Sequence, residues 1–189
     1  WCARPRCDLG IGCSIRLGTM DTDGDMESIE QVCDRLTQAW LFLSGQSRQF
    51  HFLERDTSSL QFSEFSFFIP LTSRARAKCG GVGVLLGHED ALAVATHMFG
   101  VAATEVQSAD LQDACSEVCN VLCDCVASQF DKGVPVGPGL PCLANPAQYE
   151  KIAASSNARA VFKAPLNQHA VVVVLFVRPC GSSVPPCNA

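Results

Sequence analysis

Residues 109–132 read ADLQDACSEVCNVLCDCVASQFDK, and a helix here with one dry face dictates the rest of the fold. Leu111, Cys115, Val118, Leu122, Cys125 and Val126 recur at intervals of three and four, the period of one buried helix face. Ser108 or Asp110 can cap its start, where a short oxygen-bearing side chain satisfies an orphan backbone N–H. Gly133, Pro135, Gly137, Pro138 and Gly139 then break the pattern into a loop. The opposite side of the helix carries Asp113, Glu117, Asn120 and Asp124 at i, i+4, i+7 and i+11, one continuous polar stripe. Such a rod needs an apolar surface to lie on.

The flanking segments supply that surface as a sheet. On the N-terminal side, Glu89–Phe99 reads as a second helix with Ala91, Leu92, Ala95, Met98 and Phe99 on one face, stopped by Gly100. Its Glu89 and Asp90 suit the positive end of the helix dipole. The segment Gly80–Gly87 (GGVGVLLG) has the glycines but not the spacing of a nucleotide loop. It lacks the Lys-Ser/Thr of a phosphate cradle and breaks the Gly-x-Gly-x-x-Gly fingerprint at Leu86, so it reads as a strand that tolerates close approach. Residues 71–79 (LTSRARAKC) place Arg74, Arg76 and Lys78 at alternate positions, a charged face of a strand or loop. Leu60–Ile69 and Gln49–Leu53 read as strands, with Pro70 ending the longer one. Residues 26–44 form an N-terminal helix closed by Gly45.

On the C-terminal side, Leu140–Leu143 is a short apolar piece and Asn145–Ser156 has no decisive period. Ala158–Ala164 and Ala170–Val177 are two strands of an antiparallel hairpin joined through residues 165–169. The second is apolar on both faces, as a central, fully covered strand must be. The expected fold class is α+β, an α/β sandwich of long helices packed on a mostly antiparallel sheet. Residues 26–178 are expected to form one domain, helix 26–44 plus a core over 60–178. Residues 1–25 are expected to be a flexible arm or a non-native extension, with Met20 the natural start, and 179–189 a tail.

Composition narrows the function classes. The 189 residues are 48% apolar and 17% charged, which excludes a wholly disordered chain. Fourteen Lys and Arg stand against nineteen Asp and Glu with no basic block, which argues against a nucleic-acid partner. The longest uncharged apolar run, Ala170–Val177, is eight residues, too short for a helical membrane span. No apolar signal segment opens the chain, and the expected location is cytoplasmic. Of twelve cysteines, Cys115, Cys119, Cys123 and Cys125 fall within the long helix, where small buried thiols suit a reducing compartment. Their spacing is not that of paired zinc knuckles; a cysteine-based metal or redox role stands as the alternative.

The polar stripe is where chemistry can reside. Side chains three residues apart on a helix point the same way, about 60° apart around the axis. A rigid helix therefore presents Glu117 and Asn120 as a pair of fixed spacing. The acid can pair with a partner's cation. The amide can both accept and donate, so it can steady a water and a phosphoryl oxygen together. That suits phosphoryl hydrolysis, where positioning and charge stabilisation do most of the work. A solvated helix face has the same spacing, so context must decide.

In that context the sequence resembles the CheX-like chemotaxis phosphatases, relatives of CheC and FliY. The resemblance covers residues 60–178. It runs through Ala91, Met98-Phe99-Gly100, Ala109-Asp110, Asp113-Ala114-Cys115-Ser116-Glu117-Val118-Cys119-Asn120 and Gly139-Leu140-Pro141. The signature, Glu-x-x-Asn preceded by an Asp-Ala pair, occurs once here, as in CheX. The resemblance implies an enzyme that hydrolyses the aspartyl phosphate of a CheY-like response regulator. Glu117 would pair with the regulator's lysine, Asn120 would orient the attacking water, and Asp113 and Asp124 would lie on the partner-binding face. It implies no cofactor in this chain, the Mg2+ belonging to the regulator, and leaves a homodimer open. Where the family often continues Asn-Met-Ile-x-Gly-Asn, this chain has Asn120-Val121-Leu122-Cys123-Asp124-Cys125. Asp124 thus adds a negative charge to the docking face, which favours the alternative of a non-catalytic docking module binding a regulator or flagellar switch component.

Overall fold

A computed structural model describes residues 28–53, 62–73, 78–130, 136–155, 157–166 and 169–178. The arm 1–25, Arg74, Arg76 and the tail 179–189 lie outside the described residues. The described chain runs α1 (Ile29–Ser44), β1 (His51–Leu53), β2 (Phe65–Ser73), β3 (Lys78–Leu86), α2 (His88–Phe99) and α3 (Ser108–Ala127). It continues through β4 (Val136–Pro138), β5 (Cys142–Leu143), α4 (Pro146–Ser155), β6 (Asn157–Leu166) and β7 (His169–Arg178). Seven strands form one sheet in the order β1-β6-β7-β3-β2-β4, with β5 also on β2, and every pairing is antiparallel.

Strand β7 explains the apolar run that lacks alternation. Val171, Val173 and Leu175 are buried on one face of the sheet, and Val174 and Phe176 on the other. Each buried Val or Leu contributes roughly 1.5–3 kcal/mol of transfer free energy. A one-residue slip would exchange the two faces, so burial holds the register Ala164↔Val171 and Val161↔Val174. The hairpin with β6 matches expectation.

On one face α3 packs on β2 and β3, and α1 and α2 pack against α3 and each other around the same core. The segment of undecided period is α4, and it lies on the opposite face: Tyr149 and Ile152 pack with Phe68, Leu85, Val161, Val174 and Phe176. Only two large apolar side chains a turn apart anchor it, too few for a clear periodic signal. The α+β class stands, with helices on both sides of the sheet.

Several boundaries differ from expectation. Pro70 does not end β2, which continues to Ser73 and pairs with β3 throughout. The Pro70 carbonyl accepts the Gly139 N–H at 2.8 Å, so its backbone faces the side where β4 and β5 are interrupted. A missing N–H is tolerated at such a broken edge. The expected loop 133–139 therefore includes a short strand, β4, with Gly137 opposite Thr72. Helix α3 ends at Ala127, not Lys132.

The glycines of β3 permit close approach, as read from their composition. A Cβ on Gly81 would come within 2.2 Å of the Phe68 ring, and one on Gly80 within 2.5 Å of the Phe130 ring. The rings lie on the space that two absent side chains leave, one on each face. Helix α1 begins with a reciprocal cap between Ser28 and Gln31, at 2.7 and 3.2 Å, and ends at Gly45 with φ 67°.

Candidate functional site

Helix α3 is held from three sides. The Gln107 N–H donates to Asp110 Oδ2 at 2.8 Å and satisfies one orphan group at the helix start. Leu111, Ala114, Cys115, Val118, Cys119, Leu122, Cys123 and Val126 are buried along its inner face. Half of these are alanine or cysteine, small enough to seat the helix close to α1, α2 and the sheet. Cys125, expected in the buried stripe, is only half-buried. At the far end the Arg35 guanidinium of α1 donates to the Cys125 carbonyl and, at 3.4 Å, to the Ser128 hydroxyl. Helix α3 has no basic residue in its last turn, so α1 supplies the cation that its negative end favours.

Cys115, Cys119 and Cys123 fill volume on the inner face of α3. Burial pushes Cys115 up to about 12, with a further push from the Asp90 charge. Burial pushes Cys123 up to about 12 as well, and raises Cys119 too. A thiol held protonated is neither a nucleophile nor a ready metal ligand at neutral pH. Among the described residues, no group of three or more His, Cys, Asp or Glu side chains is placed to hold a metal ion. Cys142 of β5 is disulfide-bonded, while Cys33, Cys79, Cys115, Cys119, Cys123 and Cys125 are thiols.

The outer face of α3 carries the polar stripe. Asp113, Glu117 and Asp124 are exposed and Asn120 is half-buried. Asn120 Nδ2 lies 3.4 Å from Glu117 Oε2, so these two groups are brought together. Asp113 sits about one turn before Glu117 and Asp124 about one turn after Asn120. The face thus presents three carboxylates and one amide, with no cationic side chain interleaved along 108–127. A surface of this kind attracts a cationic group on a partner, and the amide can contact what that partner carries.

Sequence reading missed what locks the three helices. Asp90 does not simply face the dipole from solvent; it is 1% exposed and pairs with Arg48 at 2.5 Å. Arg48 also lies 5.3 Å over the Trp40 ring and donates to Gln46 Oε1 at 3.0 Å. This node joins α1 through Trp40 and α2 through Asp90, and the Asp90 charge reaches Cys115 on α3. Forty-two residues separate Arg48 from Asp90, and nothing in local periodicity links them.

No protein-family sequence model matches the chain, and no curated protein matches it. Solved structures do match. The chain is similar to a chemotaxis protein CheX from Desulfovibrio desulfuricans, with 16% identity and a TM-score of 0.54. That match covers 79% of this chain and 97% of that one. It is similar to a chain of the CheX–CheY–BeF3–Mg2+ complex from Borrelia burgdorferi, with 15% identity, a TM-score of 0.58, and coverage of 82% and 99%. A chain of the FliM–SpeE complex from Helicobacter pylori matches with 10% identity, a TM-score of 0.51, and coverage of 81% and 90%. Among the described residues, no helix is long and apolar enough to cross a membrane. The chain has the fold of the CheX and CheC-like chemotaxis proteins.

Proposed function

We propose that this chain is a phosphatase acting on the aspartyl phosphate of a CheY-like response regulator. One observation carries the reading: Glu117 and Asn120 stand together, 3.4 Å apart, on the outward face of α3. The fold likeness to a chain of a CheX–CheY complex supports the choice of partner. In this mechanism the regulator docks against α3, and the Glu117 carboxylate pairs with the regulator's lysine. Asn120 enters the phosphorylated site and accepts a hydrogen bond from a water. The water oxygen forms a bond to phosphorus as the bond from phosphorus to the aspartyl oxygen breaks. Inorganic phosphate takes up the water's proton, and the aspartate is released as a carboxylate. The regulator holds the Mg2+, which supplies charge stabilisation to the phosphoryl oxygens. Asp113 and Asp124 border the docking surface. The reading places the protein in the cytoplasm, where response regulators act.

A second reading, a docking module without turnover, is favoured by Asp124. Its exposed charge lies about one turn beyond Asn120, where an acidic regulator site would approach. Phosphate release from regulators charged with acetyl phosphate, one candidate regulator at a time, tests both. Acceleration by the unmodified protein supports the phosphatase; regulator binding without acceleration supports the docking module.

A further inference from the structure

We infer that Glu117 is a positioning residue for Asn120, holding its amide so that the carbonyl oxygen is the atom presented outward. This rests on the reading of α3 as the phosphatase face. An ionised carboxylate only accepts hydrogen bonds, so the 3.4 Å contact with Glu117 Oε2 requires the NH2 group of Asn120 on that side. The reversed amide would set two acceptor oxygens against each other with no proton between them. The Asn120 oxygen is thereby left for a donor from outside the helix.

That orientation is the one hydrolysis needs. A water that donates one proton to Asn120 Oδ1 turns an oxygen lone pair toward phosphorus, whereas an NH2 group facing the water would occupy that lone pair. The carboxylate has two oxygens and about four lone-pair sites. Oε2 can hold the amide while Oε1 meets the regulator's cation, so docking need not release Asn120. Glu117 thus contributes to binding and to turnover through one group.

The test separates these contributions. Glu117→Ala and Glu117→Gln are compared with the parent in steady-state dephosphorylation, and the side-chain NH2 cross-peak of Asn120, assigned by its loss in Asn120→Ala, is followed by NMR. A residue that only docks the regulator raises KM and leaves kcat unchanged. The positioning role lowers kcat at saturating regulator by about twofold, as expected for loss of a short-range helix pair. It also moves the Asn120 cross-peak in both Glu117 variants, while Glu30→Ala on α1 leaves the peak in place. An unmoved cross-peak in Glu117→Ala, or an unchanged kcat beside a raised KM, overturns the inference. A parent protein that accelerates no regulator overturns the phosphatase reading, and the cross-peak still decides on its own whether the carboxylate holds the amide.

Discussion

Replacing Asn120 with alanine separates the chemistry of α3 from its stability. Asn120 is half-buried, and its bond to Glu117 spans 3.4 Å beside solvent. Losing a helix-surface pair of that kind costs about 0.2–0.5 kcal/mol. Alanine in turn gains about 0.5 kcal/mol of helix propensity over asparagine. The terms offset each other, so Asn120→Ala unfolds within about 2 °C of the parent. Its chemistry is not offset. Withdrawing the group that places the attacking water lowers turnover by about 100-fold, or about 2.7 kcal/mol of activation free energy. Phosphate release from a saturating, acetyl-phosphate-charged regulator measures the loss, and calorimetry confirms the fold. A variant with the parent's Tm and activity within about threefold of the parent would refute the role of Asn120.

Other consequences are independent of one another. Asp90→Ala strands the buried Arg48 charge and is expected to cost about 3–5 kcal/mol in urea unfolding, while the Arg48→Leu/Asp90→Leu pair recovers much of it; a single variant as stable as the parent contradicts the buried lock. Asp124→Asn removes one like charge facing an acidic regulator site, worth up to about 1 kcal/mol in water, so regulator Kd tightens by up to about fivefold at low salt and the gain vanishes near 1 M; a gain indifferent to salt speaks against charge as the cause. Cys115 and Cys123 stay protonated in the fold up to about 12, whereas the unfolded chain releases those protons above an ordinary 9.0. The unfolded state then binds fewer protons, so stability is fully present below pH 9 and falls as pH rises toward 12, by up to about 1.4 kcal/mol per unit and thiol. Urea midpoints across that range should fall, and the Cys115→Ala/Cys123→Ala variant should flatten the decline; an equally steep decline without the two thiols rejects this assignment.

Much of this protein was legible because local sequence and fold agree. Periods of three and four mark α1 and α3 because each turns one face to the core, whereas α2 buries Ala91, Val94 and Ala95 and leaves Met98 and Phe99, expected on its inner face, exposed. The run Ala170–Val177 reads as a covered strand because no polar residue interrupts it. The pairing of Glu117 with Asn120 on one outward face is likewise a property of helix geometry, available from spacing alone. What spacing cannot supply is distance in three dimensions. Pro70 reads as a strand end, yet it lies within β2 because the interrupted β4–β5 edge asks nothing of its missing N–H. The Cys125 carbonyl at the end of α3 is met by Arg35, ninety residues away, and the helix node depends on a buried pair between Arg48 and Asp90. Segment α4 finds its place only because the second face of the sheet offers Phe68, Val174 and Phe176 to cover. Periodicity is a local property of the chain and is written in the sequence. Burial of charge, long-range capping and strand edges depend on which distant segments meet, and only the folded chain brings those together.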